Sequence, residues 1–320
     1  MAPLIFISTV LTHLFGGSAG REGAALQMGG SLGCTIGRIF KVNNESMKIL
    51  IMCGMSAVFT ALFSTPITAT VFSIEVISVG VFYHSALVPC LISSISAYFV
   101  TTLFSIPKLN FSFLNIPEFS IELVFPIIIL AIACGICSII FCTAIKTTSV
   151  LNAKLFKNNY IKIIVGGFII IVLTLLVNTT DYNGAGMDII FKAVNGYAKP
   201  EAFALKILFT AITIGVGFKG GEIVPTLFVG ATFGNIIGGL IGLPPGFSAA
   251  LGMISVFCGV VNCPIASLIL SIELFGSSGI LFFAVSICIS YVFSGYYSLY
   301  SSQKIVYSKL SLKYINKNTI

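Results

Sequence analysis

Residues 124–145, 163–178, 280–294 and 202–213 hold only one charged side chain among them, Lys206. At ~1.5 Å of helical rise per residue, several of these runs can cross much of a hydrocarbon layer of ~30 Å. With 17 basic and 10 acidic residues in 320, 57% apolar side chains and a mean hydropathy of +1.07, the chain has too few charges to coat a water-soluble globule. It reads as an all-α polytopic membrane protein. Charges set inside apolar surroundings are then functional candidates, because burying them is costly: Arg21, Glu22, Glu75, Lys219, Glu222 and Glu273.

The nine cysteines are scattered through apolar stretches, where Cys behaves as a small hydrophobe, so no disulfide framework is expected. Cys134 and Cys137 form a CxxC in mid-helix without a second pair or a nearby His, which points to helix packing rather than metal. No metal or other cofactor is expected. The net charge of +7 lies at segment ends: 146–162 carries four lysines and the tail carries Lys304, Lys309, Lys313 and Lys317. This pattern reports topology rather than nucleic-acid binding, and places both stretches in the cytoplasm. No cleavable signal peptide is visible at the start.

The chain also repeats itself. At an offset of 200, Gly17, Gly20, Glu22 and Gly30 meet Gly217, Gly220, Glu222 and Gly230; at 198, Gly54, Pro66, Ser73 and Glu75 meet Gly252, Pro264, Ser271 and Glu273. Secondary transporters are often built from inverted repeats that bind ions where helices break. Gly-rich 16–20 and 215–221, with Pro66 and Pro264, mark such breaks. Apolar helices are expected near 3–15, 23–39, 47–63, 66–79, 83–104, 122–146, 160–177, 201–216, 224–242, 247–260, 263–276 and 279–295. The chain then forms one transmembrane domain: an incomplete first repeat 1–104, a surface linker 105–121 containing Pro107, Lys108, Pro117 and Glu118, a second repeat 122–300, and a tail 301–320.

Gly20-Arg21-Glu22-Gly23-Ala24 reads as a loop opening into a helix, whose free amide groups and dipole can hold an anion. Gly221-Glu222-Ile223-Val224-Pro225 repeats the arrangement, with Pro225 suited to a first helical turn. A carboxylate at such a helix start competes with an anion for the same donors and leaves on protonation, which makes Glu22 a proton-linked gate. Arg21 is given a structural task, pairing with a carboxylate or lipid phosphate. Two roles stay open for Glu75 and Glu273, backbone hydrogen bonding and proton relay. Isolated His13 and His84 suit packing, and Tyr300 suits interfacial anchoring.

These residues resemble the CLC family. Gly20-Arg21-Glu22-Gly23 is similar to its gating-glutamate motif, Phe63-Ser-Thr-Pro66 and Ser73-Ile-Glu75 to the following helix pair, and Tyr182-Asn-Gly-Ala-Gly186 to a later glycine turn. The resemblance implies that Glu22 is the external gate, that 221–225 line a central site and that Tyr300 offers its hydroxyl to the anion. Gly217-Phe-Lys-Gly-Gly-Glu222 resembles the fluoride/proton antiporter branch, in which Glu222 takes over the inner proton step. Chloride members have Phe at the place of Ile223, an aliphatic residue at Glu222, and, in exchangers, a proton-handling Glu at Val76. Val224 stands where the fluoride branch often carries a hydroxyl residue. The implied protein is a homodimer in the cell membrane that exports fluoride against protons, with a chloride channel or exchanger as the alternative. Family members carry further helices before 9–16, so an inactive truncated form is another expectation. A serine hydrolase using Ser18 with His13 or His84 is the rival from a different class.

Overall fold

The computed structural model describes residues 1–106, 111 and 116–320. Five helices, α1 (Ala2–Leu14), α2 (Glu22–Ile39), α3 (Asn44–Phe63), α4 (Pro66–Glu75) and α5 (Leu87–Leu103), precede the linker. After it come α6 (Ile121–Leu155), α7 (Asn159–Val177), α8 (Met187–Val194), α9 (Ala202–Gly215), α10 (Ile223–Leu240), α11 (Pro245–Val261), α12 (Pro264–Phe275) and α13 (Ile280–Phe293). Among the described residues five helical stretches are long and apolar enough to cross a membrane: Asn44–Phe63, His84–Leu103, Ile121–Leu155, Asn159–Val177 and Ile223–Leu240. The densest packing surrounds α11, which is buried from Phe247 to Val261.

The helix breaks are written twice in the backbone. The helix α3 ends at Ser64 in the left-handed conformation (φ 58°) and Pro66 opens α4; α11 ends at Asn262 (φ 58°) and Pro264 opens α12. A proline in the first turn sacrifices no hydrogen bond, because that amide has no partner inside the helix. The offset of 198 therefore holds for this block.

For α2 and α10 the structure corrects the sequence register by one residue. Both helices have 18 residues, one starting at Glu22 and the other at Ile223, so the offset is 201 rather than 200. Packing explains it. A methyl group on Gly29 or Gly54 would strike the other's carbonyl oxygen where α2 crosses α3, and the same holds for Gly230 and Gly252 where α10 crosses α11. Gly29 and Gly33 thus correspond to Gly230 and Gly234, the close-approach positions that let apolar helices dock backbone to backbone. Glu222 is consequently the counterpart of Arg21, and Glu22 that of Ile223.

The two far carboxylates join the halves. Glu75 at the end of α4 accepts hydrogen bonds from the amides of Ile265 (3.2 Å) and Ala266 (2.8 Å) at the start of α12. Glu273 near the end of α12 accepts from Ile67 (3.1 Å) and Thr68 (2.8 Å) at the start of α4. Of the two roles left open, the geometry displays the backbone-bonding one, reciprocally, with each carboxylate on a positive helix end. We expect Glu75→Gln to lower stability by about 2 kcal/mol, and Glu273→Gln by less because Glu75 is the more buried. Proton coupling should survive both. Thermal melts and vesicle proton fluxes check this, and loss of coupling with unchanged melting would restore the relay role.

Five further differences follow from local physics. The helix expected over 66–79 stops at Glu75, because Ser78–Val79 forms a strand, β1. The helix α6 runs on to Leu155, so most of the lysine-rich 146–162 is helix rather than loop. The eight residues of α8, about two turns, are too few to register as apolar periodicity. The tail folds back: β2 (Lys304–Tyr307) pairs in parallel with β1 and antiparallel with β3 (Tyr314–Asn318). In the linker, Pro107 and Lys108 lie outside the described residues. Phe111 is 2% exposed and packs at a tilt against Phe191 and Phe275, so at that point the linker is core rather than surface.

Candidate functional site: two helix starts meeting in the protein interior

The loops before α2 and α10 meet directly. The N–H of Gly20 donates to the carbonyl of Gly221 (2.7 Å) and that of Gly221 to Gly20 (2.5 Å), an isolated antiparallel bridge. Only glycine permits this approach, because a Cβ on Gly221 would collide with the amide nitrogen of Gly23. The bridge brings the positive ends of α2 and α10 together. The first intrahelical bonds are Ala25 to Arg21 and Thr226 to Glu222, so the amides of Gly23 and Ala24 in α2 and of Ile223 and Val224 in α10 have no carbonyl partner inside their helix.

Glu22 is the first residue of α2 and is 6% exposed. Its side chain folds back over the loop, since a Cβ on Gly20 would strike Glu22 Oε2. Among the described residues that oxygen is buried without a hydrogen-bond partner, and Arg21 Nε stands 3.9 Å from Oε1 while its own side chain is 73% exposed. A buried, unpartnered carboxylate oxygen is costly in a membrane, and taking up a proton or meeting a donor relieves it.

Glu222 lies on the other side of the bridge. Its Oε2 is 3.2 Å from where a Cβ of Gly23 would stand. It lines a cavity of about 540 Å³ with Gly23, Gln27, Val76, Tyr300 and Gln303. Among the described residues the hydroxyl of Tyr300 is buried there with no hydrogen-bond partner. Glu222 also faces a smaller cavity of about 130 Å³, shared with Ala24 and the exposed Lys219. Glu22 lines neither of these two cavities, and so the carboxylates flank the bridge instead of facing each other across one space.

The remaining candidates divide. Gly20, Gly23 and Gly221 form the bridge and its immediate walls. Ile223 and Val224, each 1% exposed, pack beneath it as the first turn of α10. Arg21 and Ala24 also line an apolar groove with His13, away from Tyr300. His13 Nδ1 lies 2.9 Å from the carbonyl of Thr9, His84 stacks near Phe82, and Ser18 Oγ lies 3.1 Å from Thr210 Oγ1, so the hydrolase rival finds no serine–histidine contact. Among the described residues no group of three His, Cys, Asp or Glu could hold a metal, and every cysteine is free.

Sequence reasoning missed Gln303. Its amide nitrogen donates to the carbonyls of Val76 and Val261, both at 2.8 Å, and its oxygen accepts from Asn262 (3.0 Å), which fixes the wall that carries Tyr300. A lone Gln in a polar tail carries no periodic signal, so only tertiary structure reveals it.

A model of the voltage-gated chloride channel family matches residues 1–295. A chloride/fluoride channel protein of Pseudomonas syringae pv. tomato is 31% identical over 97% of this chain and 70% of its own length. An H(+)/Cl(-) exchange transporter, ClcA, of Vibrio cholerae is 27% identical over 80% of this chain and 58% of its own length, so the chain spans little more than half of that relative. The crystal structure of a CLC-type fluoride/proton antiporter superposes with a TM-score of 0.91 at 32% identity, covering 95% of this chain and 77% of the other. That of a slow cyanobacterial Cl-/H+ antiporter, at 22% identity and a TM-score of 0.75, shares the fold. The broken-helix fold and the family match agree: the chain belongs to the voltage-gated chloride channel, or CLC, family of membrane proteins.

Proposed function

We propose that this protein exports fluoride across the cell membrane in exchange for inward-moving protons. One observation carries the reading: two helix starts meet at the Gly20–Gly221 bridge with the Glu22 carboxylate, one oxygen of it buried without a hydrogen-bond partner among the described residues, on one side and Glu222 on the other. An anion at the bridge takes the donors that an ionised Glu22 would otherwise claim, and a protonated Glu22 gives them up. Glu222 faces the cavity that holds the Tyr300 hydroxyl, and there it handles the inner proton step. Gly20, Arg21, Gly23, Ala24, Gly221, Ile223 and Val224 shape the anion path around these groups. A carboxylate in place of an aliphatic residue at 222 supports fluoride over chloride, as does the likeness to a fluoride/proton antiporter.

In this reading residues 1–320 form one transmembrane domain of two repeats, the tail 301–320 and the segment 146–162 face the cytoplasm, and two copies associate with a separate pathway in each. The chloride alternative draws on the likeness to a chloride exchanger. Efflux from protein-containing vesicles preloaded with both ions separates them. Fluoride loss with proton uptake is expected; chloride loss alone contradicts the fluoride assignment, and fluoride loss without protons contradicts exchange.

A further inference from the structure

Helix α9 carries one polar stripe through an otherwise apolar sequence. Lys206, Thr210 and Thr213 fall on one helical face at spacings of four and three, and all three are 0% exposed. Lys206 Nζ donates to the carbonyls of Tyr182 (3.1 Å) and Gly184 (2.8 Å) and stands 5.0 Å from the centre of the Phe228 ring on α10. Among the described residues its ammonium pairs with no carboxylate. Further along the stripe, Thr210 Oγ1 meets Ser18 Oγ at 3.1 Å and Thr213 Oγ1 accepts from the Ser18 amide at 3.0 Å.

The two segments held by this stripe are also tied to each other, because the amide of Gly184 donates to the carbonyl of Gly17 (3.0 Å). Lys206, the turn 182–186, the loop 16–20 and the Gly20–Gly221 bridge thus form one unbroken hydrogen-bonded path. Its cation is particular to the second repeat. At the offset of 201, Thr210 and Thr213 correspond to Thr9 and Thr12, while Lys206 corresponds to Ile5. Helix packing alone is satisfied by the apolar residue in the first repeat. A buried amine is costly in an apolar site, so the second repeat commits two hydrogen bonds to something packing does not require.

We infer that Lys206 is a positioning residue for the loop that carries Glu22: it fixes the 182–186 turn, which with the two threonines sets the height of the 16–20 backbone at the bridge. The inference rests on Glu22 acting as the proton-linked gate for its effect on transport, but not for its effect on the loop.

Amide hydrogen exchange and paired proton and fluoride fluxes, measured on the reconstituted full-length protein, test it. Lys206→Met should speed exchange in both 182–186 and 16–20 by about tenfold or more while α10 and α11 keep their protection. Thr210→Val should speed 16–20 only. Lys206→Met should also lower the proton-to-fluoride ratio, and Lys206→Gln, which keeps a donor, should restore part of it. If Lys206→Met yields no folded protein, Lys206→Gln carries the same comparison with a smaller change of the same sign. Loosening of 182–186 without 16–20, or slower flux at an unchanged ratio, would overturn the inference. The exchange readout decides even if the wild type moves no fluoride, an outcome that would sink the transport reading alone.

Discussion

Replacing Glu22 by Gln should remove proton transport and leave fluoride moving down its gradient. The carboxylate is buried, has one oxygen without a partner, and lies against the glycine bridge where two helix ends converge. In the proposed exchange its partner for those donors is an anion, and proton binding drives the swap. Gln matches the protonated acid in shape and charge but can neither release a proton nor claim the donors as an anion. Proton uptake in fluoride-loaded vesicles should fall to the leak of empty ones, a complete loss, while fluoride efflux continues. Persisting uptake would assign the coupling elsewhere, to Glu222 first.

The largest effect on folding is expected at Gly252. A Cβ there meets the carbonyl of Gly230 and lies 2.6 Å from the Cα of Gly234, both backbone atoms of a packed helix that cannot turn aside. Overpacking a side chain against side chains costs about 1–3 kcal/mol; Gly252→Val, which sets two backbones apart, should exceed that and leave no monodisperse protein in mild detergent. Gly242 is the control. Its φ is +83° but nothing lies within 4 Å of its Cβ, so Gly242→Ala should cost only about 1–2 kcal/mol of backbone strain. Size-exclusion profiles and melting temperatures distinguish the two. A folded Gly252→Val protein would mean that α10 and α11 are not locked at this crossing.

Most of the fold was legible in the sequence because membrane helices declare themselves by long uncharged runs, and because Pro66 and Pro264 announce breaks at matched places. What was not legible is instructive. Offsets of 200 and 201 each align glycines and preserve helical character, and a matched Glu22/Glu222 pair favoured the first. Only the carbonyl contacts of Gly29 with Gly54 and of Gly230 with Gly252 select the second. The consequence is chemical: Glu222 sits one residue before its helix, beside Tyr300, rather than at the place Glu22 takes in α2. The reciprocal caps of Glu75 and Glu273 were equally hidden, because a carboxylate ending one helix gives no sign of which distant helix start it meets. Lys206 did stand out, as the single charge in the four apolar runs, yet sequence alone named no partner for it.

The tail shows the limit from the other side. Lys309 donates to the carbonyl of Tyr291 (2.8 Å) and to Ser294 Oγ (2.9 Å), and its ammonium lies 4.2 Å from the Tyr291 ring. Its charge was readable as a topology signal, but neither its docking on the last helix nor the pairing of the preceding strand β2 with β1, more than 200 positions earlier, was. At the 178–186 turn, Lys199 hydrogen-bonds Asp181 at 2.8 Å and holds that carboxyl below its usual range. That contribution is present above the ordinary carboxylate pKa and fades as pH falls, and the pair's exposure keeps it small.

Competition between fluoride and the Glu22 carboxylate for the same helix-end donors is tested most directly by calorimetric titration of fluoride into the purified protein over a pH series. Wild-type affinity should rise as pH falls, by up to about tenfold per unit where one proton is taken up with each ion, and Glu22→Gln should bind fluoride with no dependence on pH. An affinity that is flat in the wild type, or that keeps its slope in Glu22→Gln, would contradict the competition.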